Sequence, residues 1–431
     1  MFATRIGIAS FSLSSLITAG CSGGVASEDG GQTFTGSGPS SGPSSTDESD
    51  TVGGDGDGDG DGDSGDGDGD GDDDPIPGEP GCGNGPAPGD WCPTAAIVRP
   101  SGAGPRGIAA ADFDGNGNND LVVALQGEDA VIVHYGDGTG DITGGTKYPV
   151  GTGPIGVAIA DFDANGRPDI VSSDYGGSTV TALINTGDSF VFGISKSVLA
   201  KPAFPIARDF DNDGRLDVAL THEQDPGAVS VLMNTGMALA DATQFATAGE
   251  PLGIAAGDFN ADGKLDLVVA AEAAAAVSVL LGDGTGGFGP SAEFPAGSGP
   301  FGIAVGDFNG DGHEDIAVGN FGASTLSTLW GVGDGSFNPG GTITTTTGLE
   351  AIISVDLDLD GDLDLAAVGR NAAIVEVLLS NGLGGFAQQP PIAIEGQPHG
   401  LTAVDLDNDG ALDLAVTDAA GNRIFLILND A

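Results

Sequence analysis

The chain has 431 residues, a formal net charge of −51 and only 12 Lys and Arg, too few to neutralise a nucleic-acid backbone, so nucleic acid is excluded as its main partner. With 78 Gly and an aromatic share of 6%, it suits many short strands joined by tight turns, and an all-β fold is expected. Cations are its natural partners.

Residues 1–20 have the outline of a secretory signal: Arg5 supplies a minimal positive end, and Ile6 to Ile17 a Ser-diluted apolar segment too short to span a membrane. Thr18-Ala19-Gly20-Cys21 resembles a bacterial lipoprotein signal, with Thr18 where that family usually has Leu. The resemblance implies that Cys21 becomes the lipidated first residue of the mature chain; ordinary cleavage further on, for instance after Ala26, is the alternative. An exported protein is expected either way, held at the outer membrane or cell surface through the lipid or released outside the cell. The three cysteines are Cys21, Cys82 and Cys92. Lipid on Cys21 leaves Cys82 and Cys92 to close a small disulfide loop in an oxidising compartment, two free thiols being the alternative.

Residues 21–81 are dominated by Ser, Gly and Pro, and Asp and Gly alternate from Asp55 to Asp72. Apolar burial cannot offset the entropy of ordering such a stretch, so it reads as a disordered, self-repelling linker. The extended limit of Val25 to Gly81, about 190 Å at roughly 3.4 Å per residue, would hold a domain well away from a membrane. Residues 82–94 form a Cys-containing neck.

From residue 95 onward the chain repeats. A nine-residue pattern (Asp, Phe or Leu, Asp or Asn, any residue, Asp or Asn, Gly, two variable residues, Asp) begins at Asp112, Asp161, Asp209, Asp258, Asp307, Asp356 and Asp405, at intervals of 49, 48, 49, 49, 49 and 49. A period near 50 belongs to propellers and solenoids. Each copy reads as four short strands; in the fourth these are Leu252 to Phe259, Leu265 to Ala270, Val277 to Leu281 and Ala292 to Pro295. Ala273 to Ala276 tempts a helical reading that its register with the other copies overrides. Four strands per unit make a propeller blade. The seventh copy has strands at Leu401 to Leu406, Leu412 to Thr417 and Arg423 to Leu428 but no fourth, while Ala96 to Gly102 matches the fourth-strand segments Lys147 to Gly151 and Glu293 to Gly297. The expectation is a seven-bladed β-propeller over residues 95–431, closed by the N-terminal strand, which completes the last blade and leaves no open edge.

A hard cation such as Ca²⁺ needs six to eight oxygens, which a tight loop with side-chain oxygens at alternate positions can supply. Position 1 of the pattern is always Asp, as given above. Position 3 is Asp114, Asp163, Asp211, Asn260, Asn309, Asp358 and Asp407, and position 5 is Asn116, Asn165, Asp213, Asp262, Asp311, Asp360 and Asp409. Position 7 is expected to ligate through its backbone carbonyl, at Asn118, Arg167, Arg215, Lys264, His313, Asp362 and Ala411. Position 9 is Asp120, Asp169, Asp217, Asp266, Asp315, Asp364 and Asp413. Gly at position 6 of every copy marks a sharp turn with positive φ. Up to seven Ca²⁺ ions are expected, bound more weakly where Asn stands, at Asn116, Asn165, Asn260 and Asn309. The loop is not an EF-hand: position 12 is Val123 in the first copy and Val269 in the fourth, where an EF-hand has Glu.

These copies resemble the FG-GAP or VCBS repeats of integrin α-subunit propellers and of many bacterial exported proteins, on motifs such as Asp112-Phe113-Asp114-Gly115-Asn116-Gly117 with Asp120, Asp307-Phe308-Asn309-Gly310-Asp311-Gly312 with Asp315, and Gly284-Thr285-Gly286-Gly287-Phe288. The resemblance covers about 337 residues. It implies a seven-bladed propeller with Ca²⁺ held between the first and second strand of each blade, and a ligand face on the opposite side.

Residues falling on that opposite face are Arg106, Phe204, Phe301 and His399 between blades, and Tyr175, His222, Glu223, Phe321 and Arg370 in the other linkers. His134, His222, His313 and His399 share no position in the repeat, and no nucleophile motif accompanies them, so they read as satisfied or solvated. The Gly-rich turns open no helix and are hairpin turns, not phosphate loops. The reading that follows is a monomeric, non-enzymatic binding or adhesion module for a protein or glycan. The alternatives are a purely structural surface protein, or a polysaccharide-cleaving enzyme, which would need His, Tyr and Arg converging on one rim.

Overall fold

The structure, a computed structural model, describes Gly89, residues 91–236 and residues 238–430; the signal segment, Cys21, the linker and Cys82 lie outside the described residues. Runs of Val, Ile, Leu and Ala directly after each acidic loop form the second strands, among them Asp120–Leu125, Asp266–Ala271 and Asp413–Asp418. In every copy this strand has six residues, begins at the position-9 Asp and is buried throughout. Unbroken burial means that both faces of the sheet are covered, which is why the sequence shows no period-2 alternation there.

Seven antiparallel sheets result, each with its strands in chain order except the last, in which Ile97–Pro100 pairs with Arg423–Ile427. The first strands are Pro105–Ala111, Pro154–Ala160, Pro202–Arg208, Pro251–Gly257, Pro300–Gly306, Ala351–Val355 and Pro398–Val404, and each touches the first strand of the next blade until the seventh meets the first. They line the central channel of a seven-bladed β-propeller. The closure expected from the sequence is present in the register Ile97 opposite Leu426 through Pro100 opposite Arg423. It extends outward through Thr94 N–H donating to Leu428 O at 2.8 Å and the bridge between Pro93 and Asn429. Trp91 is buried against the sixth and seventh blades, so the end of the neck belongs to the domain. Cys92 is disulfide-bonded.

The blades pack face to face through apolar clusters that each span neighbouring sheets. Position-2 Phe residues form part of these joints: Phe113, Phe259 and Phe308 meet Phe190, Phe337 and Phe386 of the following blade edge-on, with ring centroids 5.5 to 5.7 Å apart. Two local departures have plain causes. The fourth strand of blade 6 is split into Phe386–Gln388 and Ile392–Ala393 because Pro390 and Pro391 carry no N–H to donate. The alanine run in blade 4 holds a single 3₁₀ turn, Glu272–Ala274, rather than an α-helix.

Candidate functional site

Each acidic loop links the first and second strands of its blade, so all seven lie at one end of the channel. Their backbones are alike. The position-6 Gly has φ between 78° and 97° in every copy, and a Cβ built there would touch nothing within 4 Å, so the requirement for Gly is conformational and not steric. Position 4 is also left-handed in all seven, at Gly115, Ala164, Asn212, Ala261, Gly310, Leu359 and Asn408, with φ from 56° to 75°. Two left-handed residues, separated by one residue, turn the side chains of positions 1, 3 and 5 inward.

The side chains then hold the loop. The position-6 N–H donates to the position-1 carboxylate at 2.7 to 3.2 Å, and the position-7 N–H to the position-5 side chain at 2.7 to 3.1 Å, in every copy. The position-9 Asp is fully buried and works as a clamp. One oxygen accepts the position-2 N–H and the other a backbone N–H at the end of the third strand, as when Asp120 accepts from Phe113 at 2.8 Å and Gly136 at 2.9 Å. Burial, reinforced by the neighbouring carboxylates, raises these groups to about 6 in Asp120, Asp169, Asp217, Asp266 and Asp315 and to about 7 in Asp364 and Asp413.

The donor set fits a hard dication. Three carboxylate oxygens lie within 4.8 Å of one another in the groups Asp112, Asp114 and Asp120; Asp161, Asp163 and Asp169; Asp209, Asp211 and Asp217; Asp356, Asp358 and Asp360; and Asp405, Asp407 and Asp413. Two ligands of one Ca²⁺, each about 2.3 to 2.6 Å from the ion, cannot be much further apart than that. Asp356 Oδ1 is buried and accepts no hydrogen bond, leaving a lone pair for an ion. Loops 4 and 5 carry Asn260 and Asn309 at position 3, where those five loops have Asp, so an amide oxygen stands in place of one carboxylate. Arg215 and Lys264, at position 7, also pair with the position-5 carboxylates Asp213 and Asp262 of their own loops.

Every loop is tied to the next blade through its position-2 carbonyl. Asn185, Asn234 and Asn429 donate Nδ2 to Phe113, Phe162 and Leu357 at 2.7, 3.1 and 2.8 Å. At the other four junctions a glycine N–H does so: Gly286 to Phe210, Gly335 to Phe259, Gly384 to Phe308, and Gly140 to Leu406, which closes the ring.

At the opposite channel mouth, the residues six before each loop occupy equivalent sites: Arg106, Ile155, Ala203, Leu252, Phe301, Glu350 and His399. In six blades the first strand slips register just there, a bulge that re-aims side chains. The polar members come from blades 6, 7 and 1, which are neighbours once the ring closes. His399 Nδ1 donates to Glu350 Oε1 at 2.8 Å, which leaves Nε2 to accept from Arg106 Nη1. Arg106 Nε donates to Gln126, and Arg370 Nη1 lies 3.6 Å from Glu350 Oε2. Burial lowers His399 below its ordinary value and Arg106 to about 10, leaving His399 neutral and Arg106 charged. Histidine and arginine do converge: Arg106, His399 and Arg370 meet around Glu350, a grouping that sequence reasoning missed. His399 lies inside its first strand and His222 ends its second strand, each one element away from the place assigned from sequence. His222 is a satisfied core residue, with Nε2 2.7 Å from Ser230 Oγ, and Tyr175 donates to Glu223 elsewhere on the same face.

Such a ring, with one acidic loop per blade, defines a class of repeat propeller. The FG-GAP-like repeat model matches residues 112–172, 209–269, 258–318, 307–367 and 356–416, more than half of the chain, and the protein belongs to that family. No curated protein matches it. Among solved structures it is similar to a catalytically inactive virginiamycin B lyase from Staphylococcus aureus crystallised with quinupristin, at 13% identity over 77% of this chain and 98% of that one, TM-score 0.54. It is likewise similar to the periplasmic gluconolactonase of Pseudomonas aeruginosa, at 15% identity over 72% and 95%, TM-score 0.54. The RRP9 WD40 repeats match at 11% identity over 78% and 99%, TM-score 0.57. These likenesses show the fold alone. They correct the expectation that the chain is not an enzyme, since two of the neighbours are propeller enzymes and the architecture does not exclude catalysis.

Proposed function

We propose that the protein is a calcium-fastened propeller, displayed outside the cell, whose face opposite the metal loops recognises a protein or glycan. The observation that carries the calcium reading is the repeated all-oxygen loop, with three carboxylates within 4.8 Å of one another in five of the seven copies. Positions 1, 3, 5 and 9 would hold the ion with the position-7 carbonyl, and the ion would neutralise carboxylates that otherwise repel. Because each loop also anchors the next blade through its position-2 carbonyl, an ion would tighten junctions as well as loops. Weak sites of about 10⁻⁴ to 10⁻³ M stay filled outside cells, which agrees with the export read from residues 1–20 and a lipid anchor at Cys21. Melting the calcium-stripped protein with and without added Ca²⁺ tests the reading: added Ca²⁺ should raise the melting temperature, Mg²⁺ should do so less, and an unchanged melt would defeat it.

A further inference from the structure

The channel mouth away from the loops has two unlike halves. Blades 2 to 5 supply Ile155, Ala203, Leu252 and Phe301, all buried, with Phe204 edge-on to Phe301 at 6.3 Å and half-buried Phe321 against Phe301 at 6.0 Å. Blades 6, 7 and 1 supply two guanidinium groups, one carboxylate and one neutral imidazole, leaving one positive charge in excess. That excess stands out in a chain with 12 Lys and Arg against 63 Asp and Glu.

Arg370 is the exposed part of the polar half. Its side chain is 19% exposed, its one ion pair is the 3.6 Å contact with Glu350, and among the described residues its guanidinium donates no hydrogen bond. Glu350 Oε2 beside it accepts none, although the side chain is completely buried. A largely buried guanidinium with unused donors is costly unless an acceptor arrives. Phe321 holds the same repeat position in blade 5 that Arg370 holds in blade 6, so the rim carries an apolar side chain on one blade and a cationic one on the next.

We propose that this mouth binds a monocarboxylate with an apolar body, the carboxylate taken by Arg370 beside Arg106 and the body laid against Phe321. Guanidinium presents paired donors that match a carboxylate, and one excess charge suits a monoanion. Glu272, at the equivalent position in blade 4, opposes a second negative charge, whereas Glu223 in blade 3 is already paired with Lys201. The ligand chemistry is shared by a free apolar acid and by a peptide ending in an apolar residue.

The inference rests on the ligand face proposed above and is tested separately from the calcium reading. The full chain, saturated with Ca²⁺, is titrated calorimetrically with phenylacetate, acetate, 2-phenylethanol, inorganic phosphate, and a tripeptide ending in Phe with its carboxylate free or amidated. Phenylacetate or the free-acid peptide should saturate one site, and whichever binds tighter identifies the source. Acetate, 2-phenylethanol and the amide should bind about tenfold weaker or worse, and Arg370→Gln or Phe321→Ala should weaken the preferred probe about tenfold while the calcium-dependent melt is kept. No saturable binding of either acid, phosphate binding more tightly than both, or an Arg370→Gln variant of normal affinity overturns the inference. If Arg370→Gln unfolds, the comparison of free-acid with amidated peptide on the unaltered protein decides it. A failed titration beside an intact calcium response would sink this site alone; a melt indifferent to Ca²⁺ would sink the calcium reading.

Discussion

Asn429 joins three parts of the fold, and truncating it to Ala should be among the most damaging single changes in the domain. Its side chain is completely buried; Nδ2 donates to Leu357 O of blade 6 at 2.8 Å, and Oδ1 accepts the Cys92 N–H of the neck at 3.0 Å. Asn429→Ala leaves that carbonyl and that N–H buried with their side-chain partner gone. Each orphaned group costs about 1 to 3 kcal/mol, so the expected loss is about 2 to 6 kcal/mol. Urea unfolding in saturating Ca²⁺ measures it as a lower midpoint at unchanged slope. Thr243→Ala, an exposed change in a fourth strand, should stay within about 0.5 kcal/mol and serves as the control. An Asn429→Ala protein as stable as that control would refute the claim that these side-chain links hold the blades.

Leu359, at position 4 of loop 6 with φ of 59°, adopts a conformation that costs a non-Gly residue about 1 to 2 kcal/mol, so Leu359→Asn, matching Asn212 and Asn408, should stabilise the calcium-free domain; a lower melting temperature would contradict this. The buried position-9 carboxylates have folded values near 6 or 7, above the ordinary 3.8, so the metal-free fold holds protons that the unfolded chain has lost. Their contribution is full below about 3.8 and disappears as pH rises through about 6 to 7. Protons therefore compete with Ca²⁺, and the calcium-induced rise in melting temperature should be smaller at about pH 5.5 than at about pH 7.5; an increment that is equal or larger at the lower pH would overturn this. Deleting residues 1–100 strips the partner from Arg423–Ile427 and opens a sheet edge, so the truncated chain should melt lower and self-associate in light-scattering chromatography. A stable monomer would count against the closure.

Much of this fold was legible because the 49-residue period repeats every signal. The Gly at position 6 declared its positive φ, and Ala96 to Gly102 declared itself the missing fourth strand by matching Lys147 to Gly151. Position 4 did not, because Ala164, Ala261 and Leu359 carry no mark of a left-handed backbone, although Gly115, Gly310, Asn212 and Asn408 hinted at it. The polar mouth was hidden for another reason. Arg106 and His399 are 293 residues apart and become neighbours only when the ring closes, and Glu350 sits where the other blades place an apolar residue or a different charge. Writing the residue six before each loop around a circle would have revealed it, since Glu350, His399 and Arg106 are consecutive there.

The strand that closes the ring is also the one through which everything before residue 91 is attached. A pull arriving along it would first load the hydrogen bond from Gly89 N–H to Asp358 O of loop 6 and the buried Trp91, and then the Thr94–Leu428 hydrogen bond, the Pro93–Asn429 bridge and the four pairs from Ile97 to Pro100. The fastening that completes the propeller would thus also carry any load from the segment before it, and loop 6 would share that load through Asp358.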